Sequence, residues 1–346
     1  MDQRKVLYEK FSLRKKEIQE IQKKKLEAKE QLIKEKEKRA LKTKEKRGYC
    51  PTQETVKDGD KWSTVKVFLR PVMHRPNLHV LTKSFVTKIP QVSDLPVGEN
   101  LQDHIMTVLF FNDNSTSGGS TAPSLSTILK YLAYRSDAEN TPAATQFTFY
   151  SVSVHPRFAD KFVKSQNIDL KNKEGIKRRF ENSFNKGIGI FLAENVLLKP
   201  KSRGTIRLQS SDPFASPLID SNYLDHPDDI KTLVKGLDLY MKVANTTAFR
   251  SVGASPMDPY EEYFPPCNSL PYPSDEYWIC RIKHYTYIVY HPTSMCRMGA
   301  PDDPTAVVDP LLRAKGIENL RVVDASVMRN VPSGNTNAPT RKQPIL

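Results

Sequence analysis

Three pieces of sequence near the C-terminal end decide how the chain is interpreted. Residues 290–299 read Y-H-P-T-S-M-C-R-M-G, residues 319–326 read N-L-R-V-V-D-A-S, and residues 332–340 read P-S-G-N-T-N-A-P-T. The first predicts a loop that carries a histidine, the second a short apolar strand at 320–324, and the third a loop rich in glycine and asparagine. A strand edge that delivers an acid to a loop is a common place for ligand chemistry, although a single loop histidine is more often structural.

Taken together and in this order, the three pieces resemble the C-terminal signature of the glucose-methanol-choline (GMC) oxidoreductases, particularly their insect glucose dehydrogenase-like branch. The resemblance implies oxidation of a CH–OH group in an alcohol or sugar by hydride transfer to FAD. It gives His291, in the H-P-x-x-x-C-x-M-G loop, the role of the base that faces the flavin ring. It gives Asn335 the second polar position of the active site, and it allows a quinone-type electron acceptor.

The residue types suit this chemistry. A neutral imidazole titrates near working pH and can take the alcohol proton. The side-chain NH₂ of Asn335 can hydrogen-bond a developing alkoxide, but it cannot act as a base. Pro292 disfavours helical backbone at His291, and Gly334 permits close approach of the backbone to a flat cofactor ring. In the simpler interpretation, proline and glycine only mark turns here.

The resemblance also implies contacts with FAD away from the base. Val86 would meet the adenine end through its backbone, although a buried strand valine is equally compatible with the pattern. Asp324 would hydrogen-bond the FAD chain, with Ala325 beside it. The complete set of expected cofactor-binding residues is Val86, Asp324, Ala325, Gly334, Asn335 and Thr336.

The predicted fold class is α/β plus α+β, in four parts. Residues 1–48 form a charged helical arm without family resemblance, and residues 49–104 form a partial FAD-binding domain. Residues 105–300 form a substrate domain built on an antiparallel sheet, and residues 301–346 return to the FAD-binding domain. The C-terminal GMC region covers about 195–340, because residues 198–208 and 212–237 resemble a second family pattern, K-P-x-S-R-G followed by H-P-x-D.

Local patterns place elements in the substrate domain. Strands are predicted at 146–154, 187–193 and 195–199, and a turn at 202–204 leads into an antiparallel strand at 205–208. A helix is predicted to begin at Pro227. Its apolar face comprises Ile230, Leu233, Val234, Leu237 and Met241. Residues 251–275 are rich in proline and tyrosine and predict a loop.

Two family segments have no counterpart in the sequence. The G-x-G-x-x-G loop that binds the FAD pyrophosphate is not found, and neither is the segment around the family's N-S-P-Q-L-L motif. The chain is therefore interpreted as a truncated or spliced member. The alternative function is a non-catalytic remnant whose basic arm serves binding, which predicts a colourless protein that FAD does not stabilise.

Charge is concentrated in the arm. The net charge is +14, and residues 1–48 hold 18 Lys and Arg against 9 Asp and Glu, so the basic character is weak evidence for a nucleic-acid partner. A heptad pattern in the arm is broken by Arg14, Lys25 and Glu35, which favours a solvated charged helix or a partly disordered arm over a stable coiled coil.

Cysteine usage and hydropathy bear on metal sites, disulfides and membrane spans. There is no C-x-x-C pair for zinc or redox chemistry, so no metal site is expected, and a Cys267–Cys280 disulfide would fit a secreted chain. No apolar run approaches the roughly 18 residues of a membrane span. The N-terminus has no apolar signal core. The sequence therefore assigns no cellular compartment, although members of the resembled branch are often secreted.

Overall fold

The computed structural model of the chain describes residues 50–51, 56–57, 60–83, 94–113, 131–135, 143–152, 160, 164, 170–251, 253–256 and 265–342. The chain divides between Gly48 and Tyr49, and all the described residues belong to the unit that runs from Tyr49 to Leu346. The predicted arm at 1–48 and the candidate cofactor residue Val86 lie outside the described residues.

The elements are numbered in chain order. The strands are β1 (Cys50–Pro51), β2 (Val56–Lys57), β3 (Asp60–Lys61), β4 (Ile105–Asp113), β5 (Tyr131–Arg135), β6 (Thr145–Val152), β7 (Gly189–Leu197), β8 (Thr205–Arg207), β9 (Leu218–Asp220), β10 (Ala254–Pro256) and β11 (Thr286–Ile288). The α-helices are α1 (Leu170–Asn185), α2 (Pro227–Ala244), α3 (Thr247–Ser251), α4 (Asp275–His284) and α5 (Asn337–Lys342). Short π- and 3₁₀-helical turns cover Val65–Leu69, Arg70–Val72, Pro265–Cys267 and Ala325–Val327.

A seven-stranded sheet organises the domain. Its order is β1-β5-β6-β7-β4-β10, and β11 pairs with β4 on the same edge as β10. β10 pairs with residues 111–113 and β11 with residues 105–107, so the sheet is six strands wide. All of these pairs are antiparallel. The predicted antiparallel sheet is therefore confirmed.

Helices cover both faces of this sheet. Side chains alternate between faces along a strand, and in β4 Met106, Val108 and Phe110 join one apolar cluster while Ile105, Leu109 and Phe111 join another. α1 packs on the first face through Ile176 and Phe180. α2 and α4 pack on the second face. β4 begins at Ile105, directly after residues 102–104, which belong to the candidate site.

Helix α2 begins as its sequence predicts. His226 caps it by accepting a hydrogen bond from the backbone N–H of Asp228 on its ring, and Pro227 takes the first helical position, where no N–H is needed. Leu233, Val234 and Leu237 are buried. Gly236 allows the helix to approach β7 closely, because a Cβ there would lie 2.2 Å from Oδ1 of Asn195.

The second family pattern forms one structural unit. Asp229 is only 1% exposed. Its carboxylate accepts hydrogen bonds from the backbone N–H of Lys201 (2.8 Å) and from both the N–H (2.9 Å) and the Oγ (2.6 Å) of Ser202. The N–H of His226 in turn donates to Ser202 Oγ at 3.0 Å. The K-P-x-S-R-G and H-P-x-D segments therefore occur together because they fold against each other.

Four local predictions require correction. The strands predicted at 187–193 and 195–199 are one strand, β7, because residues on both sides of Glu194 continue the same pairing with β4 and β6. The antiparallel strand predicted after the 202–204 turn does form, but it pairs with β9, which follows it in the chain, and not with the strand before the turn. The predicted strand at 320–324 does not form: Arg321 makes one isolated bridge to Arg313, and Asp324 begins a 3₁₀ turn. The region 251–275 is not all loop, since it contains β10 and a 3₁₀ turn.

Two further features concern cysteines and membranes. Cys267 and Cys280 form a disulfide that joins the 3₁₀ turn before α4 to α4 itself. No helix within the described ranges has the length and apolar character to cross a bilayer. Within the same ranges, no three His, Cys, Asp or Glu side chains converge as metal ligands would.

Candidate active site

The loops at 290–299 and 332–336 meet on a short segment, residues 102–104, and the predicted loop at 332–340 is shorter than expected because α5 begins at Asn337. Its backbone pairs with the histidine loop, because the N–H of Gln102 donates to the carbonyl of Thr293 (3.1 Å) and the N–H of Thr293 donates back (2.8 Å). The three successive side chains Gln102, Asp103 and His104 are all buried. Each of them holds a different part of the two loops.

Gln102 holds the chain just before the second loop. Its amide NH₂ donates to the carbonyl of Arg329 at 3.5 Å and to Oδ1 of Asn330 at 3.4 Å. Its amide oxygen accepts from the N–H of Val331 at 3.3 Å. Since Val331 immediately precedes Pro332, these bonds fix where the 332–336 loop begins.

Asp103 holds the backbone of the histidine loop. One carboxylate oxygen accepts from the N–H of His291 at 2.8 Å, and the other accepts from the hydroxyl of Tyr223 at 3.3 Å. Burial raises the pKa of the Asp103 carboxyl, while these hydrogen bonds act to lower it. The residues Tyr290 and Ser294 have positive φ values of 58° and 80°. Left-handed backbone at non-glycine residues persists only where surrounding contacts impose it, and Asp103 supplies one such contact.

His104 holds the imidazole of His291. The Nδ1 atoms of the two rings are 2.9 Å apart, and the rings meet edge to face at 82°. The Nε2 of His104 lies 3.3 Å from the carbonyl oxygen of Leu198. The side chain of His104 is fully buried, whereas His291 is partly exposed. The fixed ring therefore lies behind the ring that a ligand can reach.

Both rings are neutral at physiological pH. Burial, and then the nearby His291, lower the pKa of His104 to about 4. Burial also lowers the pKa of His291. A neutral imidazole with an accessible nitrogen can accept a proton, so the site has the protonation state that base catalysis requires.

The second loop lies next to this pair but is not bonded to His291. The carbonyl of Pro332 interacts with the ring of His104. Asn335, three residues later, is exposed, and no hydrogen bond joins its side chain to His291. Thr336 is buried, and its carbonyl accepts from the N–H and hydroxyl of Thr340 as α5 begins. The same segment therefore holds His291 and the start of the loop that carries Asn335, and no hydrogen bond joins these two side chains.

The remaining predicted residues belong to the second sequence piece. Backbone bonds from Cys296 to Ser326 and from Met298 to Val327, both 2.9 Å, join the first and second pieces. Asp324 is exposed and caps the turn Ala325–Val327 by accepting from the N–H of Ser326 at 2.8 Å. Burial raises the pKa of the neighbouring Cys296 thiol, so this cysteine is not a reactive thiolate.

The residues that the structure describes fit the ring end of a flavin. A Cβ at Gly334 would meet no atom within 4 Å, so the backbone borders open space where a flat group can approach. His291 offers a neutral ring beside this loop, and Asp324 with Ala325 offers an exposed carboxylate and an adjoining turn. Val86, the candidate for the adenine end, lies outside the described residues.

Gln102, Asp103 and His104 were not predicted as site residues. The sequence pattern placed them at the end of a segment that leads into the substrate domain, where an N-L-Q-D-H string has no chemical signature of its own. His104 and His291 are 187 positions apart, so no spacing rule relates them. Only the antiparallel pairing of residues 102 and 293 reveals the connection.

Solved structures share this fold. Pyridoxine 4-oxidase from Mesorbium loti matches 72% of this chain and 42% of its own, with a TM-score of 0.51 and 21% identity. Formate oxidase from Aspergillus oryzae RIB40 matches 71% of this chain and 45% of its own, with a TM-score of 0.54 and 18% identity. At these identities the similarity concerns the fold alone.

Sequence relatives are closer in identity. Glucose dehydrogenase (FAD, quinone) from Drosophila melanogaster is 29% identical over 84% of this chain and 56% of its own length. Alcohol dehydrogenase (acceptor) from Pseudomonas putida is 30% identical over 83% and 60%. Ecdysone oxidase from Bombyx mori is 32% identical over 72% and 38%. The chain therefore spans about three-fifths or less of the lengths of these relatives.

Two family models, both described as GMC oxidoreductase, match the chain. The N-terminal model matches residues 14–93 and the C-terminal model matches residues 200–341. The expectation that residues 1–48 share no pattern with the family is therefore wrong from residue 14 onward. The second match contains all three pieces of sequence, of which residues 102–104 hold the first directly and the third at its start. On these matches and this geometry, the chain belongs to the GMC oxidoreductase family.

Proposed function

We propose that the protein takes part in FAD-dependent oxidation of a CH–OH group in an alcohol or sugar, with His291 as the base. The observation that carries this proposal is the neutral, partly exposed imidazole of His291, held by Asp103 at its backbone and by His104 at its ring. A loop histidine with a purely structural role has no need of two buried polar residues that fix its backbone and its ring separately.

The residues of this chain would bind and orient the alcohol and remove its proton. His291 would take the hydroxyl proton as the C–H bond breaks. A positioned base of this kind contributes about 10²–10⁴ in rate. FAD, when bound, supplies the acceptor for the hydride. The described candidates to hold the cofactor are Asp324, Ala325, Gly334, Asn335 and Thr336, and Val86 is the candidate outside the described residues.

Asn335 would stabilise the alkoxide. Its side chain is exposed, and its loop begins where Gln102 fixes Val331 and where the Pro332 carbonyl interacts with His104. An amide NH₂ at this place can donate to the oxygen that His291 deprotonates. Because its loop is held at its start by the same buried segment, small changes at Gln102 should affect Asn335 as well.

The reactions named for the relatives suggest a class of substrate and a class of electron acceptor. The relatives named for their reactions include a glucose dehydrogenase (FAD, quinone), an alcohol dehydrogenase (acceptor) and an ecdysone oxidase. We infer a substrate with a hydroxyl on a carbon that carries hydrogen, and a quinone-type acceptor.

Flavin binding tests the proposed function. The purified protein is examined for visible flavin absorbance, and its melting temperature is measured with and without added FAD. A ligand at 100 times its dissociation constant stabilises a fold by about 2.7 kcal/mol, so binding should raise the melting temperature clearly. A colourless protein with an unchanged melting temperature in excess FAD would favour the non-catalytic remnant instead.

A further inference from the structure

We propose that His104 is a positioning residue that holds the proton of His291 on Nδ1 and so leaves Nε2 unprotonated. This inference rests on the proposed function in one respect: it assigns Nε2 as the nitrogen with which His291 acts as base. Neither the family matches nor the sequence pattern assigns a role to His104.

The Leu198 carbonyl determines which nitrogen of His104 carries the proton. A carbonyl oxygen can only accept a hydrogen bond, so Nε2 of His104, 3.3 Å away, must carry a proton to bond it. A neutral imidazole has one ring proton, which leaves Nδ1 of His104 as an acceptor. The atom facing that acceptor at 2.9 Å is Nδ1 of His291. It must therefore donate, and the remaining nitrogen of His291, Nε2, has a free lone pair.

Burial favours the neutral form of both imidazoles, so each ring carries one proton. His104 is fully buried, and burial favours the neutral form, so its pKa falls to about 4. The pKa of His291 is also lowered by burial. If His104 were charged, both of its nitrogens would donate and Nδ1 of His291 would have to accept. The proton of His291 would then lie on Nε2, and that nitrogen would have no free lone pair.

The opposite tautomers are disfavoured by the surroundings of His104. Two carbonyl oxygens act on the His104 ring, those of Leu198 and Pro332. The Leu198 oxygen is the one that lies at hydrogen-bond distance from a ring nitrogen, Nε2, so a proton on Nδ1 would leave this buried contact without a donor from the ring. An unmade hydrogen bond at a buried acceptor is unfavourable. Within the described part of the chain, no group hydrogen-bonds to Nε2 of His291, so nothing else there places a proton on that nitrogen.

Nitrogen NMR tests the inference without cofactor or substrate. The full chain, deuterated and labelled with ¹⁵N in its seven histidines, is studied near neutral pH by long-range ¹H–¹⁵N correlation, which separates protonated from unprotonated ring nitrogens. Signals are assigned by their loss in His291→Gln and His104→Gln. We expect His291 protonated at Nδ1 only and His104 protonated at Nε2 only. A His291 protonated at Nε2 would overturn the proposal.

Two substitutions of His104 separate positioning from packing. In His104→Gln the amide oxygen can accept from His291 and the NH₂ can donate to Leu198, so Nδ1 of His291 should stay protonated. In His104→Leu the acceptor is gone, and a substantial fraction of the proton should move to Nε2. His284→Gln, at an exposed position on α4, should leave the His291 signals unchanged. Identical His291 spectra in His104→Leu and wild type would refute the positioning role.

The outcomes stay distinct from those of the proposed function. If His104→Leu does not fold, the wild-type tautomers alone decide the inference. A protein with the expected tautomers that binds no FAD would end the proposed oxidation and leave the positioning role of His104 intact. A flavin-containing protein with Nε2 of His291 protonated would end the positioning role of His104 and leave the proposed oxidation intact.

Discussion

Replacement of Asp229 should destabilise the fold strongly. This carboxylate is 1% exposed and accepts three hydrogen bonds, two of them from the backbone N–H groups of Lys201 and Ser202. In Asp229→Ala both donors would lose their partner. A buried donor left without an acceptor costs about 1–3 kcal/mol, so two of them predict a loss on the order of 2–6 kcal/mol in the free energy of unfolding.

Urea denaturation measures this loss. Trp278 is 2% exposed within the apolar cluster that α2 and α4 share, so its fluorescence reports the packing that Asp229 supports. The matched control is Asp228→Ala. Asp228 is the preceding residue, pairs with Lys201 at the surface, and should change stability little. A loss below about 1 kcal/mol in Asp229→Ala, with an unchanged dependence on urea, would show that these bonds do not hold the two segments together.

Two further predictions concern the disulfide and pH. Reduction of the Cys267–Cys280 disulfide, which spans 13 positions, should lower the free energy of unfolding by about 3 kcal/mol. Equal melting temperatures with and without reductant would contradict the presence of the bond. As a control, the melting temperature of the Cys267→Ala/Cys280→Ala variant should not respond to reductant. The pKa of His104 is about 4 in the folded chain against 6.5 ordinarily, so the unfolded chain binds more protons between these values and stability increases with pH there. As the pH falls from 6.5 to 4, the free energy of unfolding of wild type should therefore decrease by about 3 kcal/mol more than that of His104→Gln. Parallel plots of unfolding free energy against pH for the two proteins would count against a buried neutral His104.

The sequence predicts best where local chemistry and packing agree. The start of α2 follows from a proline at the first helical position and an apolar face that proves buried at Leu233 and Leu237. The loop position of His291 follows from the proline and glycine around it. These features are set within a few residues, so the pattern is sufficient to find them.

Predictions from the sequence fail where contacts between distant residues determine the local structure. The apolar run at 320–324 suggests a strand, but Val323 is 48% exposed and only one isolated bridge, from Arg321 to Arg313, forms beside it. Glu194 suggests a break between two strands, yet pairing with β4 and β6 carries one strand through it. Gln102, Asp103 and His104 acquire their roles only through contacts with residues 187 to 229 positions away.

The rate of flavin reduction tests the role of His291 most directly. The protein loaded with FAD is mixed anaerobically with a panel of primary alcohols and aldoses, and the loss of flavin absorbance is followed in wild type, His291→Ala, Asn335→Ala and the surface control His284→Ala. We expect His291→Ala to slow the reaction by about 10²–10⁴, Asn335→Ala to slow it less, and His284→Ala to leave it unchanged. Equal rates in wild type and His291→Ala, or no reduction by any of these compounds, would contradict the proposed function.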